Sequence, residues 1–389
     1  MAGTELEVRP EDLLSRTADP VYGPEARELI AGRTVLITGA GGSIGSELVR
    51  QCLRLGAARV HKVDVDETAL FELSLELYDH ALFGADSDIH LVDVTDQRAM
   101  SRLVERTRPD VIFHAAAKKH LPLTQSSPDL AVRTNVFGTE SVIRAAVEHR
   151  VARVVNISTD KAADPTSVLG WTKRLAELVG AYHGTSTTRI SSVRFGNVLG
   201  SRGSFLPALA HTMRRGQPVR LTHLEASRYF MTIPEAAGLV IEAARMSTEN
   251  EVFVLDMGEP VRILDLITRY AALTDRPVPE IQVTGLRPGE KLHEELFSGA
   301  ERHHETTHAR ISVTSVARQA GLEDVLAHLR RLIVEGAPAE AILAALAPAT
   351  IQAPAWAPKH AAPRPVTTIR SARGRVAPRV RPSALLRPA

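Results

Sequence analysis

Residues 34–45 read Thr34-Val-Leu-Ile-Thr38-Gly39-Ala-Gly41-Gly42-Ser-Ile-Gly45, and their order decides the fold. Thr34 to Thr38 form the β-branched, aliphatic run that a strand buried on both faces requires. Glycines then recur at three-residue spacing, and a stretch of helical length, Glu47 to Leu55, follows. A strand that passes through glycines into a helix presents backbone N–H groups at a helix N-terminus, where a phosphate is stabilised. Gly39 permits the tight turn, Gly42 lets the backbone approach a pyrophosphate, and Gly45 allows the helix to pack on the strand. Gly39, Gly41, Gly42, Ser43, Ile44 and Gly45 are therefore the candidate contacts for a dinucleotide.

Outward from this turn the rhythm repeats. Candidate strands Arg59–Val63, Ile89–Val92, Val111–His114, Val154–Ile157 and Ile190–Arg194 alternate with helical stretches such as Glu140 to His149. That alternation specifies an α/β fold, a Rossmann-like doubly wound parallel sheet with a smaller C-terminal substrate-binding lobe. We expect a linker-like segment over 1–30, the cofactor domain over 31–200 with parts of 228–260 returning to it, and mainly the substrate lobe over 201–350. Asp64 ends the second strand, where a carboxylate accepts both ribose hydroxyls and repels a 2′-phosphate. No arginine follows in Asp64-Val-Asp-Glu67, so NAD is favoured over NADP. Asp93 falls after the third strand, where adenine is held, and Ala115, Ala116 and Ala117 leave the fourth strand beneath the nicotinamide ribose.

Composition bounds the rest. With 389 residues and 44% hydrophobic content, the chain can form one large α/β unit plus a lobe. No apolar run reaches the roughly 18 residues of a membrane span, and the polar N-terminus lacks a signal-peptide core, so a cytoplasmic protein is expected. The single cysteine, Cys52, lies in an apolar stretch and reads as a buried, inert thiol. Residues 351–389 hold eight Lys and Arg and no acid; removing them from the net charge of +2 leaves −6 for residues 1–350. This proline-rich tail reads as a disordered basic extension. It lacks aromatic interleaving and an amphipathic face, so no specific nucleic-acid partner is expected. No metal site is expected.

Further strings carry a family resemblance. They are Thr38-Gly-Ala-Gly-Gly-Ser-Ile-Gly-Ser-Glu47, His114-Ala-Ala-Ala-Lys-Lys-His-Leu-Pro122, Thr134-Asn-Val-Phe-Gly-Thr139, Ser158-Thr-Asp-Lys161, Val193-Arg-Phe-Gly-Asn-Val-Leu-Gly-Ser-Arg-Gly-Ser204, Arg228-Tyr-Phe-Met-Thr-Ile-Pro-Glu235, Val254-Leu-Asp-Met-Gly-Glu-Pro260 and Leu286-Arg-Pro-Gly-Glu-Lys-Leu292. In this order the chain resembles the UDP-N-acetylglucosamine 4,6-dehydratase and capsular-polysaccharide branch of the extended short-chain dehydrogenases. Val8-Arg-Pro-Glu-Asp-Leu-Leu14 looks like the linker that joins this domain to a membrane-bound half in long members, and a soluble short form is expected. The resemblance implies a nucleotide-sugar substrate, most often a UDP-hexose. Arg228 and Arg287 are candidates for the diphosphate, because a planar guanidinium contacts two oxygens. Asn197, Lys119, His120, Arg202 and Glu290 complete the candidate substrate set. A homo-oligomer is expected.

The resemblance assigns Asp160 as acid and Lys161 as base in eliminating water across C5 and C6 of a C4-oxidised sugar. Burial favours the neutral form of each, whereas their mutual attraction opposes it. The superfamily's proton shuttle is Tyr-x-x-x-Lys, but here the spacing is Leu169-x-x-x-Lys173. None of the five tyrosines is followed four residues later by lysine. The C4 proton must then leave through Thr159, through Lys173, or through water and ribose hydroxyls. Lys173 is also retained as the candidate for cation and ribose positioning. Relatives commonly carry an acid where this chain reads Pro122-Leu-Thr-Gln125, which bears on the identity of the sugar. The rival readings are an epimerase or ketoreductase on the same scaffold, and a non-catalytic sugar-nucleotide binder.

Overall fold

The computed structural model describes residues 8–14, 21–78 and 88–350. The expectations for residues 351–389, and for parts of 1–30, lie outside the described residues.

The alternating strands assemble into the expected doubly wound sheet. β1 (Thr34–Thr38), β2 (Arg59–Asp64), β3 (Ile89–Leu91), β4 (Val111–His114), β5 (Arg153–Ile157) and β6 (Arg189–Arg194) run parallel, in the spatial order β6-β5-β4-β1-β2-β3. Glu251–Leu255 adds to β6 in parallel, and Ile311–Ser315 and His303–Glu305 extend that edge antiparallel to make nine strands. Strand order reverses between β1 and β4, and the register aligns Thr38 with His114, His114 with Asn156, and Ile157 with Val193. The carboxyl ends of four neighbouring strands therefore meet at one crevice, where open α/β sheets bind ligands.

Helices cover both faces because the strands are apolar on both. On one face, Ser43–Arg54 and Ile233–Met246 bury Leu48, Val49, Cys52, Leu239 and Val240 against β1. Cys52 is fully buried, as expected, and burial pushes its thiol pKa up. The other face carries Gln97–Thr107, Thr139–Glu148 and Val168–His183. Over that last helix lies a hairpin of Leu322–Val334 and Ala339–Ala349, whose Leu322, Leu326, Leu329 and Leu346 share one core with Leu175, Leu178 and Val179. Arg330 pairs with Glu140, and Arg144 with Glu323 at 3.3 Å, across the same junction.

Segment 201–350 thus divides. Ile233–Met246, Glu251–Leu255 and residues 303–349 join the sheet layers, whereas Phe205–Arg214, Val219–Leu221, Ile263–Leu273 and Ile281–Val283 build small separate cores around Leu206, Leu209, Leu266 and Ile267. Among the described residues, no helix is long and apolar enough to cross a membrane.

Candidate active site

Gly39 has a φ of +68°, and a Cβ there would stand 2.6 Å from the backbone nitrogen of Ala116. Side chains are thus excluded where β1 and β4 end, and the chain turns directly into the Ser43–Arg54 helix. Gly45 is equally constrained, since a Cβ would lie 2.0 Å from the Gly39 carbonyl oxygen. Gly42 occupies the N-cap without a side-chain bond, and the first turn holds no acid. The helix N-terminus opens onto a cavity of about 790 Å³ walled by Gly39, Gly42, Ser43, Ile44 and Gly45, with Ala115 and Ala117 beside them. The helix N-terminus, the glycine clearance and a neutral first turn fit a dinucleotide pyrophosphate.

Asp64 braces this turn from behind: Oδ2 accepts from the Gly41 N–H at 2.9 Å, and Oδ1 from the Val65 and Asp66 N–H groups at 2.7 and 3.1 Å. Asp93 is exposed and accepts from the Thr95 N–H at 2.8 Å. Neither carboxylate, nor Gly41 nor Ala116, lines the cavity.

The chemical end of the cavity forms after β5. The N–H of Asp160 donates to the Phe195 carbonyl at 3.1 Å, so the chain continues alongside the end of β6 before turning at Asp160–Ala162. Asp160 is fully buried. Its Oδ1 accepts from the Thr159 hydroxyl at 2.8 Å, the Lys161 N–H at 2.9 Å and Lys161 Nζ at 3.0 Å. Its Oδ2 is buried with no hydrogen-bond partner among the described residues. Lys161 Nζ also lies 3.4 Å from Asn197 Oδ1 and 3.6 Å from Glu294 Oε1. Burial pulls the Lys161 ammonium pKa down, but the Asp160 and Glu294 carboxylates together outweigh it, so the value is raised. The attraction therefore prevails over desolvation, and Lys161 rests as a cation. Glu294, the second carboxylate against Lys161, is a residue that the sequence did not mark.

Lys173, on the Val168–His183 helix, donates from Nζ to the Ile157 carbonyl at 2.7 Å and lines the cavity together with Leu169 and Thr159. Burial lowers its pKa to about 8, with Glu177 opposing. Glu177 lies one turn further along, in a buried network: Arg194 donates to both of its oxygens at 2.7 Å and to both oxygens of Glu301 at 2.8 Å. The Ser158 hydroxyl donates to Glu177 Oε1 at 2.7 Å, which links the network to the segment carrying Thr159, Asp160 and Lys161.

The substrate candidates separate into two groups. Lys119, His120, Asn197 and Arg202 line the cavity. Burial lowers the Lys119 pKa, and its Nζ lies 3.4 Å from Ser201 Oγ. Asn135, in the π-helical turn Arg133–Gly138, clasps the Lys118 backbone with Oδ1 accepting at 2.8 Å and Nδ2 donating at 3.0 Å, fixing the strand end from which Lys119 projects. Arg202 pairs with Glu72 at 2.9 Å, and its N–H donates to Ser43 Oγ at 2.9 Å. Arg228, Arg287 and Glu290 do not line the cavity. The Arg228 guanidinium is buried and donates to the carbonyls of Ser227, Lys291 and Leu292 at 2.7, 2.9 and 3.0 Å, while the Arg287 side chain is exposed and its N–H donates to Glu290 Oε2 at 3.3 Å. The cavity wall holds Lys118, Lys119, Lys161, Lys173 and Arg202 and no carboxylate side chain. Among the described residues no group of His, Cys, Asp and Glu could hold a metal ion.

The sequence model of the polysaccharide biosynthesis protein family matches residues 35–316. The chain belongs to this family. It is 42% identical over 318 residues to EpsC of Bacillus subtilis (strain 168), covering 80% of this chain and 53% of EpsC. The chain spans about half the length of the first curated relatives it matches. The X-ray structure of Pen from Bacillus thuringiensis superposes with a TM-score of 0.67 at 31% identity, over 74% of this family member and 88% of Pen. A double mutant of DesIV of Streptomyces venezuelae, a dTDP-glucose 4,6-dehydratase crystallised with NAD, shares the fold at 22% identity and a TM-score of 0.60, over 68% of this chain and 88% of the DesIV chain.

Proposed function

We propose that the protein is an NAD-dependent nucleotide-sugar 4,6-dehydratase acting on a UDP-hexose such as UDP-N-acetylglucosamine. The observation that carries this reading is Lys161, which lines the same cavity as the glycine turn while Asp160, buried behind the wall, holds its Nζ at 3.0 Å through Oδ1. The cationic wall supports a doubly anionic substrate beside an anionic cofactor. NAD, when bound, supplies reversible hydride acceptance, from C4 of the sugar and back to C6, so that none is consumed.

The protein's own part is proton handling. Elimination requires an acid for the departing C6 hydroxyl and a base for the C5 proton. The resting pair shares one proton, held on Lys161. Transfer of that proton across to Asp160 leaves an amine and a carboxylic acid, the two forms the step needs. If Asp160 also received the C4 hydroxyl proton, Lys161 would remain charged and no base would be left for C5. Proton count therefore favours Lys173 as the acceptor from C4, and its pKa of about 8 leaves an appreciable neutral fraction near neutrality. Leu169, which has no proton to exchange, then serves as an apolar wall that keeps Lys173 desolvated. After elimination, Lys161 returns its proton to C5 and Lys173 restores the proton carried off in the water.

Incubation with UDP-, dTDP-, GDP- and CDP-hexoses, followed by mass spectrometry, tests the reading. Loss of one water from a UDP-N-acetylhexosamine is expected. Isomerisation without water loss would replace dehydration by epimerisation, and no turnover of any sugar would refute the enzymatic reading.

A further inference from the structure

Residues 8–14 are remote in sequence from every candidate site residue, yet they pack against the back of the cavity. Pro10–Leu14 forms a short helical turn whose Leu13 is only 1% exposed. Leu13 shares a small core with Leu199, Leu206, Phe230 and Leu266, and Val8 and Leu14 pack on its margin. This core is separate from those that hold the sheet. Two of its members, Leu199 and Phe230, present their other side to the cavity and form part of its wall. They are neighbours through the parallel pair Asn197–Val198 and Phe230–Met231, with the Leu199 N–H donating to the Met231 carbonyl at 2.9 Å. Immediately beyond, Gly200 adopts a φ of +78° with the Pro10 ring against it; a Cβ there would lie 2.9 Å from Pro10 Cγ. The Leu13 carbonyl accepts from Arg269 Nη1 at 3.0 Å, which ties the turn to the Ile263–Leu273 helix.

We infer that residues 8–14 are a positioning element of the active cavity, which fixes the Asn197–Ser204 wall, and are not merely a tether. Leu13 and Pro10 touch no candidate catalytic group; they act through Leu199, Gly200 and Phe230. That wall carries Asn197, within 3.4 Å of Lys161 Nζ, and Ser201, within 3.4 Å of Lys119 Nζ. A shift of this loop displaces the sugar-facing polar groups, while the helix of the glycine turn, joined to the loop at Ser43 Oγ by the Arg202 N–H, stays packed in its own core. A displacement of about 1 Å in such groups costs on the order of 100-fold in rate. Anything joined ahead of residue 8 can thereby bias the cavity without contacting it.

The test compares the full chain with Leu13→Ala, with the milder Pro10→Ala, and with Leu13→Met as the conservative control, by amide hydrogen exchange of the NAD-loaded proteins. Faster exchange confined to residues 198–205 and 229–231 in Leu13→Ala and Pro10→Ala, with residues 34–54 unchanged and Leu13→Met close to wild type, is expected. Uniform acceleration over the whole chain, or none in residues 198–205, overturns the inference. The kinetic arm rests on the proposed dehydration: kcat/KM should fall at least tenfold in Leu13→Ala with bound NAD unchanged, and equal kcat/KM would also overturn it. If no sugar nucleotide is turned over by the wild type, the dehydratase reading fails, and the exchange pattern alone decides the role of residues 8–14.

Discussion

Replacing Glu294 by Gln isolates the electrostatics of the Asp160–Lys161 pair. Glu294 Oε1 lies 3.6 Å from Lys161 Nζ, and the side chains are 4% and 16% exposed. At that separation a unit charge pair is worth about 1 kcal/mol with the dielectric of water and about 4.6 kcal/mol at an effective value of 20. At 1.36 kcal/mol per pH unit, removing the carboxylate should lower the Lys161 pKa by about one to three units. Arg228, whose Nε is 3.8 Å from Glu294, acts in the same direction on Lys161, with Glu290 left as its counter-charge at 3.5 Å. In the wild type the Lys161 pKa is raised above 10.5, so no alkaline limb from this group falls in the usual assay range. The variant should bring such a limb into range, because the pair fails once its shared proton is lost. Selective 13C-lysine labelling reads the same titration at Lys161 Cε without any turnover. A Lys161 resonance in Glu294→Gln that titrates at or above the wild-type value would refute the argument.

Three further outcomes are expected. Asp64→Ala removes the acceptor that holds Gly41, and should weaken NAD at least tenfold in a fluorescence titration without a compensating gain for NADP. Lys173 has its pKa depressed from 10.5 to about 8, so the unfolded chain binds more protons between those values and stability rises as pH rises through that window. Lys173→Met should flatten this rise, worth about 3 kcal/mol, in urea melts at pH 8 and pH 10.5. Arg194→Met leaves the buried Glu177 and Glu301 with Arg174 as the shared cation in place of two, and should cost about 3 kcal/mol in the same melts, the lower end of what a broken buried pair costs.

The six strands β1–β6 were legible in the sequence to within a residue of their ends, because each is a β-branched run closed by glycine, aspartate or a polar residue. Cavity residues such as Lys119, Asn197 and Arg202 were legible because they follow strand ends, and the carboxyl edge of a parallel sheet gathers whatever follows its strands. Glu294 and Glu301 were not. Each meets a basic partner across more than 100 residues, Glu294 with Lys161 and Glu301 with Arg194 at a separation of 107, and no local periodicity reports such a pairing. Arg228 shows the converse difficulty: an arginine near an expected anion site reads as a ligand, yet its donors are taken up by three backbone carbonyls. The edge strand His303–Glu305 was equally hidden, since three exposed polar residues carry no apolar alternation.

The helical hairpin of residues 322–349 separates two notions of a unit that are easily confused. The match to the family model ends at residue 316, but the apolar surface of the Val168–His183 helix is completed by Leu322, Leu326, Leu329 and Leu346. That helix carries Lys173, and thirteen of its sixteen residues are buried. A fragment trimmed to the borders of that match would leave Leu175, Leu178 and Val179 facing water along the element that carries Lys173 into the cavity. The stretch matched by the family model is therefore shorter than the unit of folding, and expression boundaries for this chain belong after residue 350.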